Sequence, residues 1–242
     1  MHLKCLRTTV FICFISLACL PKANGQILIS LIFGDKLNSE KIEFGLEGGL
    51  VNSRISGLEP SEGKLGFNLG FYFDFMLKGD DRWWLATGVI VKSPMGADGL
   101  DVYPTGDTDL DGLLQNGEVT RKIRYFNVPA MIKYRFPKGF FAMGGLQLGL
   151  LSKAFDEFSA DGADGDLLYT NNIKEHYKTI DAGFSGGVGY RLRGGNGMNL
   201  ELKYYRGFVD ILKGNPGDPQ YNSALYVNVG IPIGVGKKNE AN

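Results

Sequence analysis

The segment from Lys64 to Lys78, KLGFNLGFYFDFMLK, alternates between two kinds of side chain. Every second position is apolar, from Leu65 through Phe71 to Leu77, and the intervening positions are mostly small or polar. Successive side chains of a β-strand point to opposite faces, so the segment predicts a strand with one wholly apolar face. Soluble proteins also bury such faces, and the architecture therefore depends on whether the pattern recurs.

The pattern recurs in seven further segments, although Trp83 to Val91 is apolar on both parities. These segments are Lys41–Val51, Trp83–Val91, Arg124–Phe136, Phe140–Ser152, Thr179–Arg191, Met198–Phe208 and Leu225–Ile233. The connections between the strands alternate in length. Short turns lie at 78–81, 137–139 and 194–197, and long connections cover 52–63, 93–117, 156–177 and 212–222. Short turns on one rim and long loops on the other are typical of outer-membrane barrels. The sequence thus predicts an all-β fold, an eight-stranded antiparallel up-and-down transmembrane β-barrel with both termini in the periplasm.

Aromatic side chains of the outward parity lie beside the short turns, where hydrocarbon meets headgroups in such barrels. They are Phe75, Trp83, Tyr134, Phe136, Phe140 and Tyr190. The alternative is the aromatic core of a soluble barrel such as a lipocalin. That fold places its apolar face inside and gives no reason for one-sided loop lengths.

Residues 1–25 predict a cleaved secretory signal peptide, with Lys4 and Arg7 before a short apolar run and Ala23-Asn24-Gly25 before the cut. A lipoprotein site at Cys19 is the weaker alternative. Residues 26–39 are predicted as a periplasmic or interfacial segment, 40–235 as the barrel and 236–242 as a tail.

Because all three cysteines lie in the signal, the mature chain has no disulfide or thiolate site. It carries 23 basic against 26 acidic residues, a net charge of −3, which excludes a nucleic-acid partner.

Three short motifs carry a family resemblance: FGLEGGLVNSRI at Phe44–Ile55, YFNVPAMIKYRF at Tyr125–Phe136 and GGLQLGLLSKA at Gly144–Ala154. From Glu40 to Ile233 the chain resembles the PorT-like outer-membrane β-barrel family of the Bacteroidetes and, more broadly, OmpA/OmpX-type eight-stranded barrels. The resemblance implies the fold and the outer-membrane location, and little about activity. The chain departs from such barrels in ending IPIGVGKKNEAN, without a terminal aromatic residue.

Eight strands enclose a lumen that side chains just fill. The inward parity predicts paired charges there: Lys41, Glu43, Glu47, Asp74, Lys133, Arg135, Asp181, Arg191, Glu201 and Lys203. We therefore predict a filled barrel with a structural or interaction role, whose partners are outer-membrane lipid, lipopolysaccharide and a protein bound through the loops. The alternative is an accessory component of a secretion or surface-attachment complex.

The segment Asp107 to Glu118, DTDLDGLLQNGE, matches a calcium-binding loop by position. Its ligands would be Asp107, Asp109, Asp111, the Leu113 carbonyl, Gln115 and Glu118. The preceding SPMGADGLDVYPTG is broken by Gly and Pro, so an EF-hand is excluded. Two interpretations stay open at this point, an ion that pins the loop and a plain acidic loop; no cofactor is required.

Catalysis is the other class of function considered. His176 is the one histidine of the mature chain, so a His-rich zinc site is excluded, and Ser152 and Ser185 are predicted near the same rim. A lipid hydrolase would need His176 and a serine within hydrogen-bond reach. The simpler interpretation of His176 is a solvated loop residue, and the chain is predicted not to be an enzyme.

Overall fold

The computed structural model of the protein describes residues 39–77, 80–162, 165–192, 197–214 and 217–233. The strands are β1 (Ile42–Ser56), β2 (Glu62–Met76), β3 (Trp83–Leu100), β4 (Glu118–Arg135), β5 (Phe140–Gly162), β6 (Gly165–Asn172), β7 (Ile180–Arg191), β8 (Asn199–Gly207) and β9 (Tyr221–Pro232). One short helix, α1 (Thr108–Leu114), lies between β3 and β4, and 3-10 turns cover Pro137–Gly139 and Lys174–His176. Over these residues no helix is long and apolar enough to cross a bilayer.

The strands form a closed antiparallel ring. Pairing runs β4-β3-β2-β1-β9-β8-β7-β5, and β4 also pairs with β5 to complete the circle. The first and last strands meet with Gly48 opposite Val229. The remaining strand, β6, pairs only with the far end of β5, from Phe155–Asn172 to Gly162–Gly165. The predicted all-β barrel is therefore confirmed: eight strands close the ring and β6 is attached to it.

The alternation sets which side chains face outward. On β5, Leu146, Leu148 and Leu150 are about half exposed, while Gln147 between them is buried in the interior. The same arrangement holds on β8, where Leu200 and Leu202 face outward and Glu201 and Lys203 are buried. At the level of these residues, an apolar band thus surrounds a polar interior, as expected of a barrel in hydrocarbon.

The connections differ from the predicted bounds. The β1–β2 connection covers only 57–61 instead of 52–63, and β3 continues to Leu100 through the start of the predicted 93–117 loop. Most of the predicted 156–177 loop is the hairpin of β5 and β6. The extra strand lengths form because Met95, Val119 and Phe158 on them are buried side chains that pack across the sheets. The predicted signal peptide, most of the 26–39 segment and the 236–242 tail lie outside the described residues.

Candidate functional site: the barrel interior and the ledge

The end of the interior near the short turns holds a network of paired charges. Lys133 on β4 donates to Asp74 on β2 over 2.8 Å, and Arg135 reaches the same Asp74 oxygen over 2.9 Å. Lys133 also lies 3.7 Å from Glu201 on β8. Both Lys133 and Asp74 are almost fully buried, so each charge depends on the other for compensation.

Two further carboxylates extend the network to β1. Glu43 accepts from Arg191 and, over 3.3 Å, from Arg135, and it also accepts from the Tyr72 hydroxyl over 3.1 Å. Lys203 pairs with Glu47 and, over 3.3 Å, with Glu201. Four carboxylates therefore meet four cations: Glu43, Glu47, Asp74 and Glu201 against Lys133, Arg135, Arg191 and Lys203.

Two of the predicted inward charges lie elsewhere. Lys41 is exposed just before β1 begins, because it precedes the part of the chain that the ring encloses. Asp181 is buried farther toward the long-loop end, where it accepts from the Asn222 side chain over 2.8 Å. The inward prediction was therefore wrong for Lys41, while Asp181 faces inward as predicted and pairs with an amide instead of a cation.

Little space remains around the charge network. A cavity of about 20 Å³ lies among Glu47, Asp74, Lys133, Glu201 and Lys203. That volume holds about one water molecule. One water there suits Asp74 Oδ1, which is buried without a hydrogen-bond partner among the described residues.

Beyond the charge network, the interior holds a layer of amide side chains and then an apolar cluster. Asn68 donates to Asn228 over 2.8 Å, and Asn228 donates to Glu47 over 2.7 Å. Farther along, Tyr226 and Ser93 are hydrogen bonded over 3.2 Å. The apolar cluster then fills the long-loop end with these buried side chains: Val51, Ile55, Met95, Ala97, Ile123, Tyr125, Leu151, Ala154, Ile173, Tyr177, Tyr205, Ile211, Leu212, Ala224 and Tyr226.

At the long-loop end, strands β3 to β6 continue as a sheet that we name the ledge, and its lower part still pairs with β2 at Gly63 and Ala97. It comprises Pro94–Leu100, Glu118–Arg124, Leu151–Gly162 and all of β6. An apolar cluster of Leu100, Leu114, Val119, Phe158 and Ala160 packs α1 against it. The cluster explains why the short helix stays folded on this sheet, since seven residues alone would not form a stable helix.

A buried ion pair fixes the base of the ledge. Arg121 on β4 contacts both carboxylate oxygens of Asp156 on β5, over 2.8 and 2.6 Å. The Tyr103 hydroxyl donates to Asp156 over 2.8 Å, and burial raises the pKa of that phenol to about 12. Sequence reasoning missed this contact because it assigned Tyr103 and Asp156 to long loops. Arg121 lies outside those predicted loops, and the alternation of Val119, Arg121 and Ile123 marks its strand.

The residues of the predicted calcium loop are not gathered around one point. Asp107 caps α1 by accepting from the Asp109 and Leu110 amides, and Asp111 accepts from the Thr105 hydroxyl over 2.7 Å. Leu113 lies exposed on the helix, Gln115 follows its last turn and Glu118 begins β4. Throughout the described ranges, no group of three or more His, Cys, Asp or Glu side chains is placed to hold a metal ion. Calcium binding stays a prediction.

His176 lines an open cleft of about 540 Å³ at the long-loop rim, together with Arg121, Tyr177, Lys213 and Gln220. Its side chain is exposed and makes no hydrogen bond to the residues the structure describes. Ser185 is buried in the barrel wall opposite Gly145 and Tyr205. The structure therefore does not join His176 and Ser185 as a nucleophile and its base, and Ser152 is half-buried on β5.

Comparison with known proteins gives a family and several distant structures. The profile of a family described as outer membrane protein beta-barrel domain matches residues 33–213. The Yersinia pestis attachment invasion locus protein Ail, solved with the heparin analogue sucrose octasulfate, is 14% identical over 79% of this chain and 99% of its own, with a TM-score of 0.44. Neisserial surface protein A is 13% identical over 78% and 96%, with a TM-score of 0.41.

A third structure, the outer-membrane protein OprG from Pseudomonas aeruginosa, is 15% identical over 79% of this chain and 93% of its own, with a TM-score of 0.33. No curated protein matches the chain. The family match shows an outer-membrane β-barrel domain, whereas the narrower OmpA/OmpX-type and PorT-like assignments and the Bacteroidetes origin stay predictions.

Proposed function

Because the chain belongs to the family of outer-membrane protein beta-barrel domains, we propose that it is a structural and interaction protein of the outer membrane, neither an enzyme nor a diffusion pore. The observation that carries this proposal is the filled interior. Paired charges occupy the half of the interior near the short turns, and an apolar cluster occupies the half near the long loops. An ion would have to cross both layers.

The two layers resist opening for different reasons. Parting Lys203 from Glu47 would leave the buried Glu47 carboxylate without a cation, since both side chains are largely shielded from water. Above them, Tyr205 and Tyr226 are about 1% exposed and pack among aliphatic side chains, where hydration is unfavourable. Eight-stranded rings also leave a lumen that side chains fill, whereas water-filled channels need more strands.

Single-channel recording in a planar bilayer tests this proposal on the purified full chain. We expect no conductance steps under conditions in which a general diffusion porin, added as a control, conducts. Insertion is checked separately by the change in electrophoretic mobility on boiling, which folded barrels show. Regular conductance steps from the inserted protein would overturn the closed-barrel proposal.

The non-enzymatic part of the proposal has its own test. His176 is exposed and has no hydrogen-bonded nucleophile in the described part of the chain, which general-base catalysis would need. We expect no release of fatty acid from phospholipid or lipid A, with either the native chain or His176→Ala. Hydrolysis by the native chain that His176→Ala abolishes would instead establish a lipid hydrolase.

A second candidate, a component of a surface-attachment or secretion complex, is favoured by the edge of the ledge. Within the described residues β6 pairs with β5 alone, so its other edge is left with unpaired backbone groups. Leu168 on β6 is 63% exposed. Open strand edges accept a partner strand readily, and main-chain hydrogen bonds then supply much of the affinity.

Site-specific photocrosslinking in intact cells tests this candidate. A photoreactive residue at Leu168 should give one discrete adduct, and the same residue at Leu148, which faces lipid at 56% exposure, should not. A Thr170→Pro change on the ledge should weaken the adduct, because proline removes a donor from a strand edge. Identical adducts at positions 168 and 148, or none at either, would contradict a partner on this edge.

A further inference from the structure

Three exposed cations lie side by side on the outer wall of the barrel, and we name them the wall cations: Lys92 on β3, Arg124 on β4 and Lys153 on β5. Arg124 and Lys153 are directly opposite each other in the pairing of β4 with β5. In the pairing of β4 with β3, Arg124 is opposite Pro94, and Lys92 lies two residues before Pro94 on β3. The wall cations therefore lie on three adjacent strands, within two residues of one another in the strand pairing.

Their arrangement is unfavourable without an anion. Like charges directly opposite each other on neighbouring strands destabilise a sheet. Other cations nearby avoid this cost: Arg121 pairs with Asp156, Lys122 with Glu157 and Lys64 with Asp98. In the described part of the chain none of the wall cations forms an ion pair with a carboxylate. Among the residues described, these three adjacent positive charges thus have no carboxylate partner.

Aromatic rings support two of the wall cations. The Arg124 guanidinium lies 5.3 Å from the ring centre of Phe155, and the Lys92 ammonium lies 5.7 Å from that of Phe67. Such contacts hold a cation against an apolar surface and leave its outer face open to a second ligand. Lys92 and Arg124 are both exposed, so the side of each group away from its ring is accessible.

On β4 and β5, Arg124 and Lys153 lie at the loop-side border of the apolar band. Directly toward the membrane centre from Arg124 and Lys153 come Phe126, Val128, Leu148 and Leu150, all 42% to 56% exposed. In the opposite direction lies the ion pair of Lys122 with Glu157, whose side chains are both partly exposed. Such a charged pair is expected in the aqueous region and not in hydrocarbon. The boundary between an exposed apolar band and water is where lipid headgroups lie.

We propose that Lys92, Arg124 and Lys153 bind the phosphate of an outer-leaflet lipid such as the lipid A part of lipopolysaccharide. Arg124 matches a phosphate with two parallel N–H donors, and the two lysines add point charges on either side. A lipid is favoured over a soluble anion because the cations border the apolar band directly, so a lipid chain can cover Phe126 and Leu150 while its phosphate meets Arg124. The site depends on the outer-membrane location and not on the closed lumen.

Binding of two lipids by the full chain in zwitterionic detergent tests the proposal. The probes are lipid A with its phosphates and the same lipid A with the phosphates removed. We expect the native chain to bind the phosphorylated lipid about tenfold or more tightly, as two to three membrane-surface cations would give. Arg124→Gln with Lys153→Gln should remove that preference.

The control variant is Lys174→Gln with Lys213→Gln. It removes the same number of charges from exposed residues on the same side of the membrane, away from the apolar band. We expect it to keep the preference for phosphorylated lipid. Equal affinity of the native chain for both lipids, or an equal loss in both variants, would overturn the proposal.

Two further measurements keep the test decisive. Without lipid, the double variant Arg124→Gln with Lys153→Gln should unfold at the same or a higher temperature than the native chain, because the change removes a repulsion between two cations. Added phosphorylated lipid should then raise the unfolding temperature of the native chain only.

Soluble heparin serves as the free polyanion. Binding of heparin that depends on Arg124 and Lys153, without any preference between the two lipids, would replace the lipid site by a site for surface polyanions.

Discussion

Lys133 and Asp74 form a buried ion pair of 2.8 Å although β3 lies between their strands. The residue opposite Asp74 on β3 is Ala86, which is also opposite Met131 on β4. Its methyl side chain leaves room for the lysine to reach over β3 through the interior. The ion pair therefore joins β2 to β4 across β3, and it depends on the small side chain of Ala86 between them.

Replacing Lys133 with Met should destabilise the barrel strongly, because Asp74 and Glu201 would lose a buried counter-charge. Breaking a buried pair in this way costs about 3–5 kcal/mol in the free energy of unfolding. Urea unfolding in lipid vesicles, followed by tryptophan fluorescence, measures this. Lys174→Met, at an exposed and unpaired lysine, is the control and should stay within about 0.5 kcal/mol of the native chain. Equal stability of the two variants would contradict the structural importance of the network.

Two adjacent glycines on β5 should differ sharply in their tolerance of alanine. A Cβ atom at Gly145 would lie 2.2 Å from the Ala130 carbonyl oxygen, whereas a Cβ at Gly144 meets nothing within 4 Å. Gly145→Ala should therefore cost about 1–3 kcal/mol of stability through overpacking. Gly144→Ala should be nearly neutral, and the same unfolding experiment compares them. A neutral Gly145→Ala would show that β4 and β5 can separate locally without cost.

The connection from β8 to β9 should loosen in acid. The Asp210 carboxylate accepts from the Gln220 amide over 3.0 Å and from the Leu212 amide over 3.2 Å, and these backbone donors, aided by Lys178, lower its pKa. A carboxyl with a lowered folded pKa contributes stability above its unfolded value of about 3.9 and loses it as the pH falls through the folded value.

Hydrogen exchange of the Leu212 and Gln220 amides measures that loosening. We expect protection at pH 6, severalfold less below pH 3, and the same loss at pH 6 in Asp210→Asn. Asp218→Asn changes an exposed acid of the same connection and should leave both amides protected. Protection of Gln220 that is independent of pH would be evidence against the carboxylate as its acceptor.

The helix α1 distinguishes the two interpretations of the acidic segment. Because Asp107 caps the helix through the Asp109 and Leu110 amides, Asp107→Ala should destabilise it by about 1 kcal/mol. We expect the exchange protection of α1 to be the same with calcium and with a chelator. One calorimetric calcium site, abolished by Asp109→Ala with Glu118→Ala, would instead support the calcium loop.

The strands in the membrane were predictable from local sequence, since lipid outside and side chains inside impose a period of two. The run from Leu65 to Leu77 shows this period directly, and the structure keeps its apolar members outward as far as Phe71. The outer strands beyond the membrane were missed, because there both faces meet water or other protein. Ala97 and Phe158 are buried on the ledge, and nothing in their immediate neighbours marks that burial.

The alternation along single strands was enough to predict the barrel, the eight strands of its ring and most of the inward charges. It did not reveal the ninth strand, β6, and it wrongly placed Lys41 inside. Which charges meet, by contrast, depends on the folded ring. Asp74 and Lys133 are 59 residues apart and on strands that do not pair, so their contact depends on the closure of the ring. The register of the β4–β5 hairpin, with its shift at Arg124 and Tyr125, placed Arg124 opposite Lys153 on the outer wall, and neither strand alone specifies that register.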